Sequence, residues 1–226
     1  MTSPMLSLII PCSPQETSLP RLISSSFQPP PCWDRIISFG PNQQFKPPLD
    51  WRAVKGTSGR GRQLNRAAAV AAGEWLWFVH ADSLPNEEAF RGVERFIAVP
   101  GRPGQSPRLG YCSLKFSADG PALSALNSIG ANLRSHWLKL PYGDQGLCIR
   151  QRDFHALGGF REDLQRGEDL DLVVRARKIG MSIEKVDGRM ETSARRYRQN
   201  GWLRTTVAHQ LAAIRLVRSA GRSRSP

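Results

Sequence analysis

Residues 75–85 read WLWFVHADSLP. Five apolar residues, Trp75 to Val79, lead into His80, Ala81 and Asp82, and a turn closes at Pro85. An apolar run this short, bounded by Gly73 and Pro85, reads as an interior strand. A carboxylate at the exit of such a strand is either a cap for the helix that follows or a functional group. Position alone leaves the two level, because Ser83 or Asn86 could cap that helix equally well.

Short apolar runs alternate with helix-like segments on both sides of this strand. Leu6–Pro11 and Asp34–Gly40 read as two earlier buried strands. The Ala-rich stretch RQLNRAAAVAAGE predicts a helix ending near Gly73, and NEEAFRGVERFIAV predicts another with acids in its first turn. Pro100–Gly110 has the Pro and Gly content of a surface loop, and YCSLKFS alternates like a half-exposed strand. Leu123, Leu126, Ile129, Leu133 and Trp137 recur at helical spacing and predict an amphipathic helix packed through that stripe. PYGDQGLCIR reads as a turn feeding a short strand, and RDFHALGGFRED as a short helix broken at Gly158 and Gly159. GEDLDLVVRARKIG opens with acids and closes on basic residues before Gly180, the signature of a helix. A last helix over 201–221 would place Leu203, Val207, Leu211, Ile214 and Val217 on one stripe. Alternation of this kind predicts an α/β domain over residues 1–220, with a mostly parallel central sheet flanked by helices and a basic tail over 221–226. Ligands of such sheets bind where the carboxyl ends of the strands open into a crevice, and Asp82 sits just past one such end.

The chain has 226 residues, 40% hydrophobic and 23% charged, which suits a soluble globular protein. No run approaches the roughly 18 apolar residues that cross a bilayer. The N-terminus MTSPMLSLIIPC lacks a basic n-region, so the expected location is cytoplasmic. Cys12, Cys32, Cys112 and Cys148 form no C-x-x-C pair, which argues against zinc and redox motifs and for reduced core or near-core thiols. The net charge is +13 and unevenly placed. Trp51–Gly73 contains no acid but carries Arg52, Lys55, Arg60, Arg62 and Arg66, and Thr192–Pro226 holds eight arginines and no acid. Such fields attract phosphate-bearing partners. Nucleic acid is disfavoured, because the basic loop Gly56–Arg66 has no interleaved aromatic residue on which bases could stack. The C-terminal helix, joining an apolar stripe to arginines, leaves peripheral contact with an anionic membrane open.

Three places could carry chemistry. Mg²⁺ or Mn²⁺ takes hard oxygen ligands, typically one or two carboxylates with phosphate oxygens completing the shell, and Asp82 beside a basic loop suits that role. His80 next to it is either hydrogen-bonded structure or a ligand. GTSGRGRQLNR is a glycine-bearing loop entering a helix, where backbone N–H groups, helix dipole and arginines make a phosphate seat, although it lacks the Walker A order. Glu168, Asp169 and Asp171 fall within one helical turn and are either dipole stabilisers or the source of a general base for an acceptor hydroxyl. TSARRYRQNGW supplies arginines and aromatics that suit a phosphate or sugar ring, or form a solvated loop.

Taken in order, LSLIIP, GRGRQLNRAAAVAAGEWLWFVHADSLP, PYGDQGLCIR, ALGGF, GEDLDLVVRARKIG and TSARRYRQNGWLRT resemble the family 2 glycosyltransferases of the GT-A fold. The likeness is greatest to the small bacterial subgroup associated with radical-SAM and selenoprotein-linked proteins. The resemblance implies an inverting, divalent-metal-dependent transferase that moves a sugar from a nucleotide-diphosphate donor to an acceptor hydroxyl. HAD would replace the family's Asp-x-Asp motif, with Asp82 holding the metal and the donor diphosphate and His80 where the first acid stands. Arg60, Arg62, Asn65, Arg195 and Arg196 would complete the donor side. Asp169 would be the base, and Gly143, Asp144, Gln145, Glu168 and Trp202 would line the acceptor side. The chain departs from the family in its nucleotide half. CSPQETS, with Gln15 and Glu16, stands where Asn-Glu is usual, and SFGPNQQF lacks the acid that normally ends the second strand. The alternative these departures imply is a catalytically degenerate relative that binds a nucleotide sugar or a partner.

Overall fold

The computed structural model describes residues 5–13, 29–43, 46–99, 107–117 and 124–193. The expected C-terminal helix and the basic tail lie outside them, as do Gln15, Glu16, Arg195, Arg196 and Trp202. The described chain runs β1 (Leu6–Cys12), β2 (Asp34–Phe39), β3 (Arg52–Lys55), α1 (Arg60–Val70), β4 (Trp75–Phe78), β5 (Ser83–Pro85), α2 (Glu87–Ala98), β6 (Arg108–Phe116), α3 (Ser124–Trp137), a 3-10 turn (Gly143–Gln145), β7 (Leu147–Arg150), α4 (Gln151–Ala156), α5 (Glu168–Lys178) and β8 (Ser182–Thr192). The strands form an eight-stranded sheet in the order β3-β2-β1-β4-β7-β6-β8-β5. The β3-β2-β1-β4 half is parallel, as is β6 with β8, while β7 runs antiparallel to both neighbours and β5 antiparallel to β8.

WLWF is apolar throughout because both faces of β4 are covered. Trp75 and Trp77 point into one core with Leu8, Ile10, Val93 and Phe96, and Leu76 and Phe78 point into the other with Leu64, Phe154, Phe160 and Leu172. Period-2 geometry forces this division, and a strand covered on both faces cannot alternate with polar residues. Trp75 meets Phe96 edge-on at 5.4 Å between ring centroids, and Phe78 meets Phe160 likewise at 4.9 Å.

Several expectations need correction. Helix α1 stops at Val70 rather than near Gly73, because Ala71 turns to an extended conformation. The loop expected over Pro100–Gly110 gives way to β6 from Arg108, and the strand expected to be half exposed has Tyr111, Cys112 and Leu114 all buried. Strands β3, β5 and β8 carried no legible apolar signal. Three of the four cysteines, Cys12, Cys112 and Cys148, are buried and free, whereas Cys32 is free and exposed.

The largest departure is α3, where the described part of the expected packed stripe faces outward; Leu123 and the Leu126 side chain lie outside the described residues. Ile129, Leu133 and Trp137 are 55%, 53% and 75% exposed, and Leu138 just beyond them is exposed too. The inner face is small and polar. Pairing of β6 with β7 ends at Gly110, and beyond it α3 satisfies the open edge. Asn132 accepts from Leu114 N at 2.8 Å and donates to Leu114 O at 2.9 Å, and Ser128 Oγ accepts from Phe116 N at 2.9 Å. Unpaired strand groups must find partners, so hydrogen bonding overrides the apolar periodicity here.

This attachment makes opposite predictions for adjacent residues. Asn132→Ala strands the Leu114 N–H and C=O and lowers unfolding free energy by about 2 kcal/mol. Leu133→Ala, on the outer face, changes it by no more than about 0.5 kcal/mol. Urea denaturation of the two variants checks the pair.

Candidate active site

The carboxyl end of β4 is where the sheet opens. Val79 N donates to Ile9 O at 2.9 Å, and the chain then turns through His80, Ala81 and Asp82, closed by Ser83 N to His80 O at 3.0 Å. Strand β8 pins this turn from the far side. The backbone carbonyl of Asp82 accepts from Ser193 N at 3.2 Å and from the Thr192 hydroxyl at 3.4 Å. The cap question is answered nearby: Asn86 Oδ1 caps α2 by accepting from Ala89 N at 3.0 Å and from Arg189 N at 2.9 Å. Asp82 is therefore not the residue that caps α2, and its carboxylate stands half-buried at the mouth of the crevice.

Antiparallel β7 brings a second segment to the same place. Leu147 lies opposite Phe78, so the 3-10 turn just before β7 falls beside His80 and Asp82. Gly146 adopts a left-handed conformation (φ 67°), and its carbonyl accepts the Trp77 indole N–H at 3.2 Å. The first turn of α5 supplies a third segment. Asp169 Oδ2 accepts from Gly143 N at 2.5 Å, and its Oδ1 accepts from Leu170 N at 2.8 Å. A Cβ at Gly143 would lie 2.5 Å from His80 Nε2 and 2.8 Å from Asp169 Oδ2, so only glycine lets the three segments meet this closely.

Charge is crowded here. Glu168 is 1% exposed and pairs with Arg60 at 3.3 Å, which makes Arg60 the link between α1 and α5. Burial works against the Arg60 charge, yet Glu168, Asp169, Asp82 and Asp144 together raise its pKa. Burial, and then the neighbouring Asp169, raise the Glu168 carboxyl against the opposing pull of Arg60. Asp144 is pushed up to about 7, first by burial and then by Asp169, with Arg134 pulling the other way. Its Oδ1 is buried without a hydrogen-bond partner.

The structure thus brings together Arg60, His80, Asp82, Gly143, Asp144, Glu168 and Asp169. It places three other expected residues differently. Asn65 Nδ2 donates to Phe160 O at 2.8 Å and its Oδ1 accepts from Phe160 N at 2.8 Å, so this side chain fastens α1 to the segment after α4. Arg62 faces Glu162 at 3.7 Å on the surface. Gln145 is fully buried, donating to Cys112 O at 3.1 Å and accepting from Ser135 Oγ at 2.6 Å, which makes it a strut under the turn. Two residues went unnoticed in the sequence. Arg134 stacks over the Tyr142 ring at 3.5 Å and provides the countercharge to Asp144. An arginine on a helix has no sequence mark of that role, whereas Tyr142 is the second residue of the PYGDQG stretch.

No group of three or more His, Cys, Asp or Glu side chains among the described residues is placed to hold a metal ion by itself. The donor chemistry nevertheless suits a hard divalent ion shared with phosphate: Asp82 offers carboxylate oxygens at the open edge, beside the glycine loop and Arg60. No described helix is long and apolar enough to cross a membrane.

The fold has solved counterparts. A mannosyltransferase from Pyrobaculum calidifontis in complex with GDP-Man and Mn²⁺ superposes with a TM-score of 0.58 at 16% identity, over 84% of this chain and 57% of that one. Residues 1–349 of TarS from S. aureus superpose with a TM-score of 0.53 at 14% identity, over 82% of this chain and 57% of that one. The chain therefore spans little more than half the length of either. The shared architecture is the mixed α/β GT-A fold of these neighbours. No protein-family model matches the sequence, and no curated protein does.

The raised Asp144 carboxyl has a calculable consequence for stability. Well below pH 4 both folded and unfolded chains protonate it, but between about 4 and 7 the folded chain keeps a proton that the unfolded chain gives up. Stability from this group is present at the acid end, falls as pH rises through that window, and is constant above it. Asp144→Asn removes the dependence, so its melting temperature exceeds the parent's at pH 8 and the gap closes on acidification towards pH 4. Thermal unfolding across that range is the check.

Proposed function

We propose that this chain is a family 2-like glycosyltransferase that moves a sugar from a nucleoside-diphosphate donor to an acceptor hydroxyl with inversion. One observation carries the reading: His80 after β4 and Asp169 at the start of α5 meet at the Gly143 turn, with Asp82 two residues beyond His80 acting electrostatically on Arg60 and Asp144, in a chain with the GT-A fold. A metal-phosphate ligand at one edge and a base at the other is what displacement at a sugar carbon requires.

Asp82 would hold a divalent cation, Mn²⁺ or Mg²⁺, together with the donor's phosphate oxygens, and the cation would offset the charge that the diphosphate gains on leaving. Arg60, at the entry of α1, supports the same charge from the protein side. Arg195 and Arg196 join it on the strength of the family resemblance. In the reaction the bond from C1 to the diphosphate oxygen breaks and its electron pair stays with the diphosphate. The acceptor oxygen bonds C1 from the opposite face, and its proton passes to Asp169. The backbone N–H groups of Gly143 and Leu170 fix the orientation of that carboxylate and leave lone pairs free to take the proton. Asp144, with its unpartnered oxygen, is placed to accept a hydrogen bond from an acceptor hydroxyl.

A second reading rests on the carboxyl edge of β1 and β2. There Gln43 donates to Ser13 O at 2.7 Å and accepts from Gly40 N at 2.8 Å, and the described segments 5–13 and 38–43 carry no acid to hold a ribose. A binder without transferase activity fits that edge.

Calorimetric titration with UDP, GDP and CDP, each with and without Mn²⁺, tests the assignment. One nucleotide is expected to bind in a Mn²⁺-dependent way, to lose that dependence in Asp82→Ala, and to bind Asp169→Asn as it binds the parent. With the donor so identified, sugar release from it is expected to fall by about 10²-fold or more in Asp169→Asn. Absence of binding by all three nucleotides overturns the donor site, and binding with no turnover in the parent favours the binder.

A further inference from the structure

The outer stripe of α3 is unexplained by folding or by the transfer reading. Ile129, Leu133 and Trp137 recur every fourth residue on an exposed face, where Trp137 meets the neighbouring His136 ring edge-on, while the inner face is zipped to β6 by Asn132 and Ser128. A surface helix normally has the reverse arrangement. With Leu138 beyond the last turn, these residues form an exposed apolar stripe over the C-terminal part of the helix, and patches of that kind mark interaction surfaces.

The flanking chemistry selects the partner. From Gly120 to Gly143 the sequence holds no acid, in a chain whose net charge is +13, and although Arg134 turns inward to Tyr142, Lys139 stays at the surface. Lys139 is exposed and sits in a left-handed conformation (φ 52°) immediately after the helix, beside Trp137 and Leu138. Apolar side chains that include a tryptophan and are bordered by an exposed lysine complement the interface of an anionic bilayer, where the indole lies at headgroup depth and the ammonium meets lipid phosphate.

We propose that the outer face of α3 seats this protein on an anionic lipid surface, with Ile129, Leu133, Trp137 and Leu138 inserted and Lys139 at the phosphate level. The inference stands on the surface of α3 and is independent of the transfer reading. It differs from contact through the C-terminal residues, which the arginine-rich sequence alone would suggest.

Flotation of the full chain with vesicles tests it, using phosphatidylcholine alone and phosphatidylcholine with roughly one-third phosphatidylglycerol. The parent is expected to float with the anionic vesicles and not with the neutral ones. The triple variant Ile129→Ser, Leu133→Ser, Trp137→Ser leaves the charge unchanged and is expected to lower partitioning about tenfold or more. Ile179→Ser removes an equally exposed apolar residue just past α5 and is expected to leave partitioning as it is. Trp137→Phe keeps the patch and provides a direct reading of depth, because Trp137 is the exposed tryptophan among the described residues. Quenching of tryptophan fluorescence by brominated lipid is expected in the parent and lost in this variant, with flotation retained. No flotation of the parent overturns the proposal, as does flotation undiminished in the triple variant, which would assign binding to charge alone. A lipid-free dimer that the triple variant dissociates also overturns it, by assigning the patch to a second copy.

Discussion

A strand buried on both faces can present charge only at its ends. β4 is such a strand, and its neighbours and the two cores are arranged around that constraint. Trp75 and Trp77 fill one side, Leu76 and Phe78 the other, and the first polar side chains after them appear where the sheet stops. Everything chemical in the described molecule gathers at that boundary. The turn after β4 supplies His80 and Asp82, the turn before β7 supplies Gly143 and Asp144, and the start of α5 supplies Glu168 and Asp169. The antiparallel insertion of β7 matters as much as the parallel half, because it returns the chain to the same edge.

The site is electrostatically unbalanced by construction. Four carboxylates share the near field of Arg60, with Arg134 acting on Asp144 from the Tyr142 side. Burial and mutual repulsion push the Asp144 carboxyl up to about 7 and shift Glu168 in the same direction. Asp169 is held differently, with both its oxygens accepting backbone N–H groups. The crowding of carboxylates keeps Arg60 charged in spite of its burial. It also makes the pocket receptive to added positive charge.

Much of this was legible in the sequence. WLWF followed by an acid announced a doubly buried strand with its exit at a crevice, and GEDLDL announced the opening turn of α5. The convergence of Asp169 with Gly143 was available only through resemblance, since nothing local in either segment refers to the other. Asn65 and Gln145 misled because an amide in a motif reads the same whether it faces a ligand or ties two backbones together. β8 was missed because it lies near the rim, where SIEKVDGRMET alternates weakly and is broken by Gly188. α3 was misread for a different reason: periodicity reports that a helix has an apolar face, and not which way that face turns. The deciding fact was the unpaired edge of β6, a long-range property of the sheet.

The hydrogen-bonded attachment of α3 has a mechanical consequence. Apolar packing tolerates sliding, because one methyl group replaces another at little cost. Asn132 and Ser128 tolerate none, since a slip of one helical turn, about 5.4 Å, would carry both away from their backbone partners on β6. Ser135, on the same face, grips Gln145 beneath the 3-10 turn. The helix is thus keyed to the sheet like a toothed part rather than a greased one, and a load applied at its outer surface reaches the floor of the crevice without being absorbed on the way.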